Sequence, residues 1–540
     1  MSGAAGLVIA PIILPLLAGA GMLLLNGEKH RTIVAGLNVA GTLALVWIAA
    51  ILLGLSDSGS RIVYRLGNWP APFGIVLVLD RLSALMLMLS NVLALASAVF
   101  SLARWHRAGA HFHSLFQFLL MGLNGAFLTG DLFNLFVFFE LLLAASYGLL
   151  LHGSGLTRVK AGLHYVVVNL AASLLFLIGV SLIYGVTGTL NMADLAARMP
   201  QVAAESRGLL EAGAGVLAVA FLLKAGMWPL SFWLPTAYAA ATPPVASIFA
   251  IMTKVGVYVV LRLSLLLFGE GTGASAGFGS DWLLWGGLAT ILFGAIGTLA
   301  SQDTARLGGF SVLVSSGTLL AATGMGQVGV TGGALFYLVS STLGISAFFL
   351  LIELIERGRE PGADVIAVTR EAYGEEVEVE ETDENVGIAI VATMAWLGVA
   401  FIGCALVIAG LPPLSGFIAK FALLAAALDP AAVHRSGTVP GSAWAFLVVL
   451  ILSGLATLIA MTRAGIRIFW ASPDRTVPRV RLIEMAPIMF LLIMCAAQTV
   501  LAGPVIRFMQ ATAQSLHAPT GYVGDILETG VRDSRKADSK

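Results

Sequence analysis

The chain reads as an all-α integral membrane protein of about fourteen transmembrane helices, in two related, inverted halves that each contain a broken helix. Three observations predict this. Of its 540 residues 58% are hydrophobic and 11% charged, against roughly 25% charged in an average soluble domain; mean hydropathy is +0.93. Apolar runs of about 18 residues or more recur from end to end, each long enough to cross roughly 30 Å of hydrocarbon. Two of these runs are interrupted by proline, one in each half, with a lysine close to each interruption; such paired breaks mark inverted-repeat transporters, whose sites lie at discontinuous helices.

The spanning segments fall near 4–25, 32–55, 75–101, 111–130, 132–151, 161–185, 210–236, 240–266, 282–300, 307–324, 331–355, 388–428, 443–470 and 485–508. The first has no positively charged region before it, so it is expected to be a retained helix rather than a cleaved signal. Segment seven carries Pro229 and Pro235 in KAGMWPLSFWLP, and segment twelve, too long for one straight crossing, carries Gly410-Leu411-Pro412-Pro413. Proline cannot continue a helix interior, so both should be broken. Pro-Leu-Ser followed by an aromatic residue occurs at both breaks, in WPLSFWLP and PPLSGFIA.

Loop charge predicts orientation. The odd-numbered loops carry Lys29, Arg31, Arg104, Arg107, Arg158, Lys160, Arg306, Arg357, Arg359, Arg370, Arg475, Arg479 and Arg481, and the even-numbered loops about five or six basic residues. The positive-inside rule therefore puts odd loops in the cytoplasm and both termini outside; the tail DSRKADSK, mildly basic, pulls the other way. Zero net charge leaves no basic surface for nucleic acid. Cys404 and Cys495 lie in apolar runs and read as small buried hydrophobes. The long polar loop 357–385, with EEVEVEETDE, reads as a solvated acidic segment, and the glycine-rich GEGTGASAGFGS at 269–280 lacks the Gly-Lys-Ser/Thr of a phosphate loop.

Function is sought in the charges that remain at bilayer depth: Glu140, Lys224, Lys254 and Lys420. Each costs about 2.5–3.5 kcal/mol to insert, so such residues face a protein interior or a hydrated path and commonly move protons or ions. A carboxylate beside an ammonium exchanges protons at small cost, because each stabilises the other's charge and a shift of a few ångströms switches both. Glu140 and Lys224 are the expected pair. Lys254 has no acid in its own segment and suits a proton carrier, since a desolvated lysine gives up its charge readily. His164, early in segment six, is a candidate relay toward the cytoplasm or a structural histidine. Asp131 opens segment five and reads as an N-cap, with cation entry as its alternative role. His111 and His113, two residues apart, lie on different helix faces, which argues against a metal. No Cys–His–carboxylate cluster suggests haem, zinc or iron–sulfur ligation, and no cofactor is expected.

The stretches TGDLFNLFVFFELLLAASYGLLLHG (129–153), KAGMWPLSFWLPTAYAAATPPVASIFAIMTKVGVY (224–258) and AGLPPLSGFIAKF (409–421) resemble the proton-translocating antiporter-like membrane proteins. Within that family the chain is similar to the D-type subunits of Mrp-type (Pha or Mnh) monovalent cation/proton antiporters. The resemblance implies fourteen helices with two inverted five-helix repeats, here segments four to eight (111–266) and nine to thirteen (282–470). Residues 1–110 would form three N-terminal helices and 485–540 the last helix and a polar tail. It implies proton-translocating roles for Glu140, Lys224, Lys254 and Lys420. It further implies a hetero-oligomer with subunits of types A, B, C, E, F and G in a bacterial inner (plasma) membrane, exchanging H⁺ for Na⁺ or K⁺. A pump subunit of a complex I-like or hydrogenase-type redox enzyme is the alternative. One departure concerns segment eleven: Ser340 stands where many relatives are expected to carry histidine, so a proton path there would depend on water.

Overall fold

The computed structural model describes residues 2–25, 30–59, 61–69, 73–357, 392–429, 439–469 and 480–527. The acidic loop 357–385 lies outside the described residues apart from Arg357. The described chain is almost wholly helical. In order it forms α1 (Ser2–Leu24), α2 (Arg31–Asp57), a hairpin of β1 (Ile62–Arg65) and β2 (Val76–Leu79), α3 (Arg81–Ser101), α4 (Phe112–Leu128), α5 (Leu132–Leu150) and α6 (Leu156–Thr187). Then come α7 (Met192–Arg198), α8 (Ala204–Ala225), α9 (Leu234–Ala240), α10 (Pro243–Phe268), α11 (Ser280–Ala300), α12 (Thr304–Gly324) and α13 (Val328–Glu356). The last five are α14 (Ala392–Ala409), α15 (Ser415–Ala427), α16 (Gly441–Phe469), α17 (Leu482–Val500) and α18 (Ala502–His517).

Thirteen of these helices are long and apolar enough to cross a membrane; α4 and α15 are shorter apolar helices. Counting α4 as a crossing and α15 as the second half of the one α14 begins gives the expected fourteen. The centre is made by α10 and α13, predominantly apolar with no exposed polar face and buried along almost their whole length. Around α13 pack α10, α12, α15, α17 and α18. Gly256 lets α10 close on α8: a Cβ there would stand 2.8 Å from the Ala225 backbone nitrogen.

Both interrupted crossings stop in the same way. Gly226 after α8 (φ +74°) and Gly410 after α14 (φ +80°) take the left-handed conformation that only glycine adopts freely. The next residue's N–H turns back onto a carbonyl five residues earlier, Met227 to Leu222 and Leu411 to Leu406, each at 2.9 Å. This Schellman closure satisfies carbonyls that a helix end would otherwise leave bare inside the membrane. The Trp228–Pro229 and Pro412–Pro413 bonds, both cis, follow, and helix resumes at α9 and α15.

Two boundaries differ from expectation. Segment three begins at Arg81 and not near residue 75, because Val76–Leu79 pair with Ile62–Arg65 in an antiparallel ladder, Ile62 opposite Leu79. Asp80 then caps α3, its Oδ1 accepting from the Ser83 backbone N–H at 2.8 Å. The last apolar run bends at Leu501, so the region after segment fourteen is not only a polar tail. There α18 buries Met509, Ala513 and Leu516, and residues 520–527 form about two further helical turns.

This C-terminal part covers a buried ion pair. Arg262, near the end of α10, donates to both Asp80 carboxylate oxygens at 2.8 and 2.9 Å, and the Tyr522 ring lies 5.5 Å from its guanidinium. Burial opposes ionisation of Asp80, but the Arg262 charge and hydrogen bonds outweigh it and hold the carboxyl below its usual range. Asp80→Ala, which strands the guanidinium, is expected to destabilise the chain by about 3–5 kcal/mol. Asp80→Leu with Arg262→Met should recover much of this. Thermal unfolding in detergent checks both.

Candidate functional site

Glu140 sits on the outward side of α5, half-buried, and Lys224 is buried near the end of α8. They do not form the direct ion pair expected. One turn of α6 stands between them. The Ser173 hydroxyl donates to Glu140 Oε1 and also to the Asn169 backbone carbonyl at 3.1 Å. The Asn169 side-chain carbonyl accepts from Lys224 Nζ. Its Nδ2 donates to the Tyr165 carbonyl at 2.7 Å, which fixes the amide with its oxygen toward the lysine. The ammonium also faces the Phe139 ring, 5.5 Å from its centroid. A cavity of about 10 Å³, bordered by Lys224, Asn169, Trp233 and Tyr238, lies beside it, room for about one water. The Trp233 indole N–H, buried, has no acceptor among the described residues.

Lys254, 1% exposed, lies inside the bundle and donates to the Ser316 hydroxyl on α12 at 3.3 Å. Two separate hydroxyl pairs lie between there and segment twelve. Ser315, next to Ser316, is 2.9 Å from Ser341 on α13, and Ser340, next to Ser341, is 2.7 Å from Ser415, the first residue of α15. Ser340 is thus joined to the broken helix by a side-chain hydrogen bond. Lys420 lies further along α15, and its ammonium reaches back across the break to the Ala409 carbonyl at the end of α14, 2.7 Å away. A cation there meets the negative end of a helix dipole.

A separate hydroxyl cluster lies nearer the odd-loop face: Ser247, two turns before Lys254 on α10, is 2.5 Å from Ser346 and 3.1 Å from Ser97. Beyond it opens a cavity of about 320 Å³ bordered by Arg104, Tyr238, Phe349, Glu353, Glu356 and Arg357. Its rim is tied by ion pairs of Arg357 with Glu353 (2.7 Å) and Glu484 (2.8 Å) and of Arg104 with Glu353 (3.4 Å).

Asp131 caps α5, accepting from the Asn134 N–H at 2.9 Å. His164 is exposed on the outer face of α6 against Phe232, with ring centroids 5.6 Å apart, and is not drawn into the polar line. The described residues hold no group of three or more His, Cys, Asp or Glu able to bind a metal, and Cys404 and Cys495 are free and buried. Sequence reasoning missed Asn169, Ser173, Ser316, Ser341 and Ser415. The available signal was the i, i+4 spacing of Asn169 and Ser173 on an otherwise apolar helix.

A helical bundle with two broken crossings and a buried line of ionisable groups has the construction of the antiporter-like transport subunits. A family model described as NADH:quinone oxidoreductase/Mrp antiporter, transmembrane, matches residues 129–438. A Rhizobium meliloti protein named as the probable D subunit of a K(+)/H(+) antiporter is 62% identical over 526 residues, 96% of this chain and 97% of that one. The D subunit of an Na(+)/H(+) antiporter from Alkalihalophilus pseudofirmus is 32% identical over 97% of this chain and 99% of its own. The solved Mrp complex of Dietzia sp. DQ12-45-1b contains a chain that superposes with a TM-score of 0.83 at 26% identity, over 98% of this chain and all of that one. The chain belongs to the NADH:quinone oxidoreductase/Mrp antiporter family, in the branch of the antiporter D subunits.

The bridge through α6 has a measurable consequence. Asn169→Leu removes the acceptor of a buried ammonium and should cost about 1–3 kcal/mol, read as a fall in the unfolding midpoint. Lys224→Met in the same background should restore it.

Proposed function

We propose that this chain is the proton-translocating D subunit of a multisubunit antiporter that exchanges H⁺ for a monovalent cation, Na⁺ or K⁺. The observation that carries this reading is the polar line itself. Glu140, Ser173, Asn169 and Lys224 are joined by hydrogen bonds, and Lys254, the serine pairs of α12, α13 and α15, and Lys420 succeed them at intervals toward the second break. The names borne by relatives at 62% and 32% identity support an antiporter over a redox-driven pump.

In this mechanism a proton passes between Glu140 and Lys224 when the lysine leaves the Asn169 oxygen. Water beside Trp233 links Lys224 toward Lys254, and the serine hydroxyls, each both donor and acceptor, carry the proton on toward Lys420. The 320 Å³ cavity on the odd-loop face is the entrance to Lys254 from that side. The repeat units are residues 111–266 and 282–470, flanked by 1–110 and 485–540. The protein is a secondary transporter component and not an enzyme. It works with subunits of types A, B, C, E, F and G in the bacterial plasma membrane, with odd loops cytoplasmic and both termini outside.

In everted vesicles carrying the whole assembly, Glu140→Ala and Lys224→Ala are each expected to abolish cation-driven collapse of ΔpH while the partner subunits still co-purify. His164→Ala, on the outer face, should stay close to wild type. Full activity in both the Glu140 and Lys224 variants removes these residues from the mechanism, and co-purification of iron–sulfur or flavin subunits moves the chain to the redox class.

A further inference from the structure

A second cavity, of about 410 Å³, opens on the odd-loop face, away from the polar line, between the end of α1, the start of α2 and the loop leading into α4. Its chemistry is that of an anion site. Arg31, His106, Arg107, His111 and His113 line it, and among the described residues around it there is no carboxylate. Among those residues neither arginine is ion-paired; Arg107 Nε donates to His106 Nε2, at 3.4 Å. Two helices begin here, α2 at Arg31 and α4 at Phe112, and neither has a side-chain cap. Their first-turn N–H groups and the positive ends of both dipoles meet at the cavity.

His113 supplies an independent observation. It is 4% exposed and borders the cavity. Its Nδ1 faces Asn38 Nδ2 at 2.9 Å. That amide's orientation is set by Gln117, whose Nε2 donates to Asn38 Oδ1 at 2.8 Å and to the Asn38 backbone carbonyl at 3.2 Å. A backbone carbonyl only accepts, so Gln117 must present nitrogen, Asn38 must present oxygen to it, and Asn38 Nδ2 is left to donate to His113. Nδ1 of the imidazole is therefore an acceptor, and its proton sits on Nε2. That Nε2–H, buried, has no partner among the described residues. A buried donor without an acceptor is costly, and a turn of the ring toward the cavity it borders would bring that donor to a bound anion.

The setting selects the anion. The same turns of α1 and α2 that border the cavity leave Leu24 (89%), Ile33 (54%) and Leu37 (43%) exposed, an apolar flank suited to acyl chains. The cavity lies at the end of both spans, where headgroups stand. Its volume fits a small-molecule pocket and exceeds what bare phosphate fills. Basic pockets between transmembrane helices take anionic headgroups in this way. We propose that this cavity binds the phosphate of an anionic membrane phospholipid, with Arg31, Arg107, the start of α4 and His113 Nε2–H around the phosphate and the acyl chains along α1 and α2.

The assembly containing this chain, purified in mild detergent and stripped of lipid, is titrated with phosphatidylglycerol bearing a fluorescent acyl chain. Phosphatidylcholine and inorganic phosphate serve as competitors. Arg31→Gln is expected to weaken phosphatidylglycerol binding about fivefold and Arg31→Gln with Arg107→Gln about 25-fold, one surface charge each. His113→Phe, which keeps the ring but not the donor, should weaken it about tenfold, and Arg31→Lys should retain it. Co-purification of the partner subunits shows that each variant folds. Equal binding by wild type and the double variant overturns the site, including by way of a partner protein seated over it. Displacement by millimolar inorganic phosphate as readily as by lipid overturns the lipid source.

Discussion

The structure is organised by the cost of a charge in a medium that cannot solvate it. Moving an ammonium or carboxylate out of water is unfavourable by several kcal/mol even after relaxation, so every such group inside a bundle has to be met by something. The chain answers in two different ways. At the end of α10, Arg262 meets Asp80 in a two-pronged ion pair shielded by Tyr522. Lys224, Lys254 and Lys420 meet neutral oxygens instead: an amide, a hydroxyl and a backbone carbonyl. In the proposed mechanism the difference is functional. Removing the proton from a lysine that faces a carboxylate strands a buried negative charge. Removing it from one that faces a neutral oxygen strands nothing, because the amine still donates and the oxygen still accepts. The first arrangement locks charge in place; the second lets it move.

The broken crossings follow from the same constraint applied to the backbone. A helix end inside the membrane leaves carbonyls that water cannot reach. At both breaks glycine in the left-handed conformation folds the chain back so that the following N–H groups cover part of this deficit. What is left over attracts cations. Lys224 lies in the last turn of α8, and Lys420, although it follows its break, returns to the final carbonyl of α14. The two lysines thus occupy different sequence positions and the same kind of place, the C-terminal end of an interrupted helix.

How much of this was legible in the sequence divides along physical lines. Charge and proline are rare in apolar runs, so Glu140, Lys224, Lys254, Lys420 and both breaks stood out, as did the number of crossings. Serine and asparagine are common in membrane helices, where their side chains bond to their own backbone, so nothing distinguished Asn169, Ser173 or Ser316 until α5, α6, α8 and α12 were placed around them. The expected contact of Glu140 with Lys224 was wrong in a specific way: the groups belong to one site, but composition does not reveal that a turn of α6 lies between. His164 shows the matching limit, since a histidine near a helix start has equal sequence weight whether it faces the bundle or, as here, Phe232 on the outside. Segment three was overextended because Val-Leu-Val-Leu is apolar in either secondary structure, and pairing with Ile62–Arg65 decided for strand.

The polar line holds one acid, half-buried Glu140, and three amines, of which Lys224 and Lys254 are buried. Fully ionised, it would carry a net charge of two inside a region of low dielectric, where like charges repel far more strongly than in water. A proton arriving on one lysine therefore raises the cost of keeping the others charged. The two stretches are closed by different means, an acid in the first and hydroxyls with a helix end in the second, so that repulsion has a direction. The first stretch can neutralise an incoming charge through Glu140, across Ser173 and Asn169. In the proposed mechanism the second cannot, and a proton placed on Lys254 is driven toward Lys420 at the break.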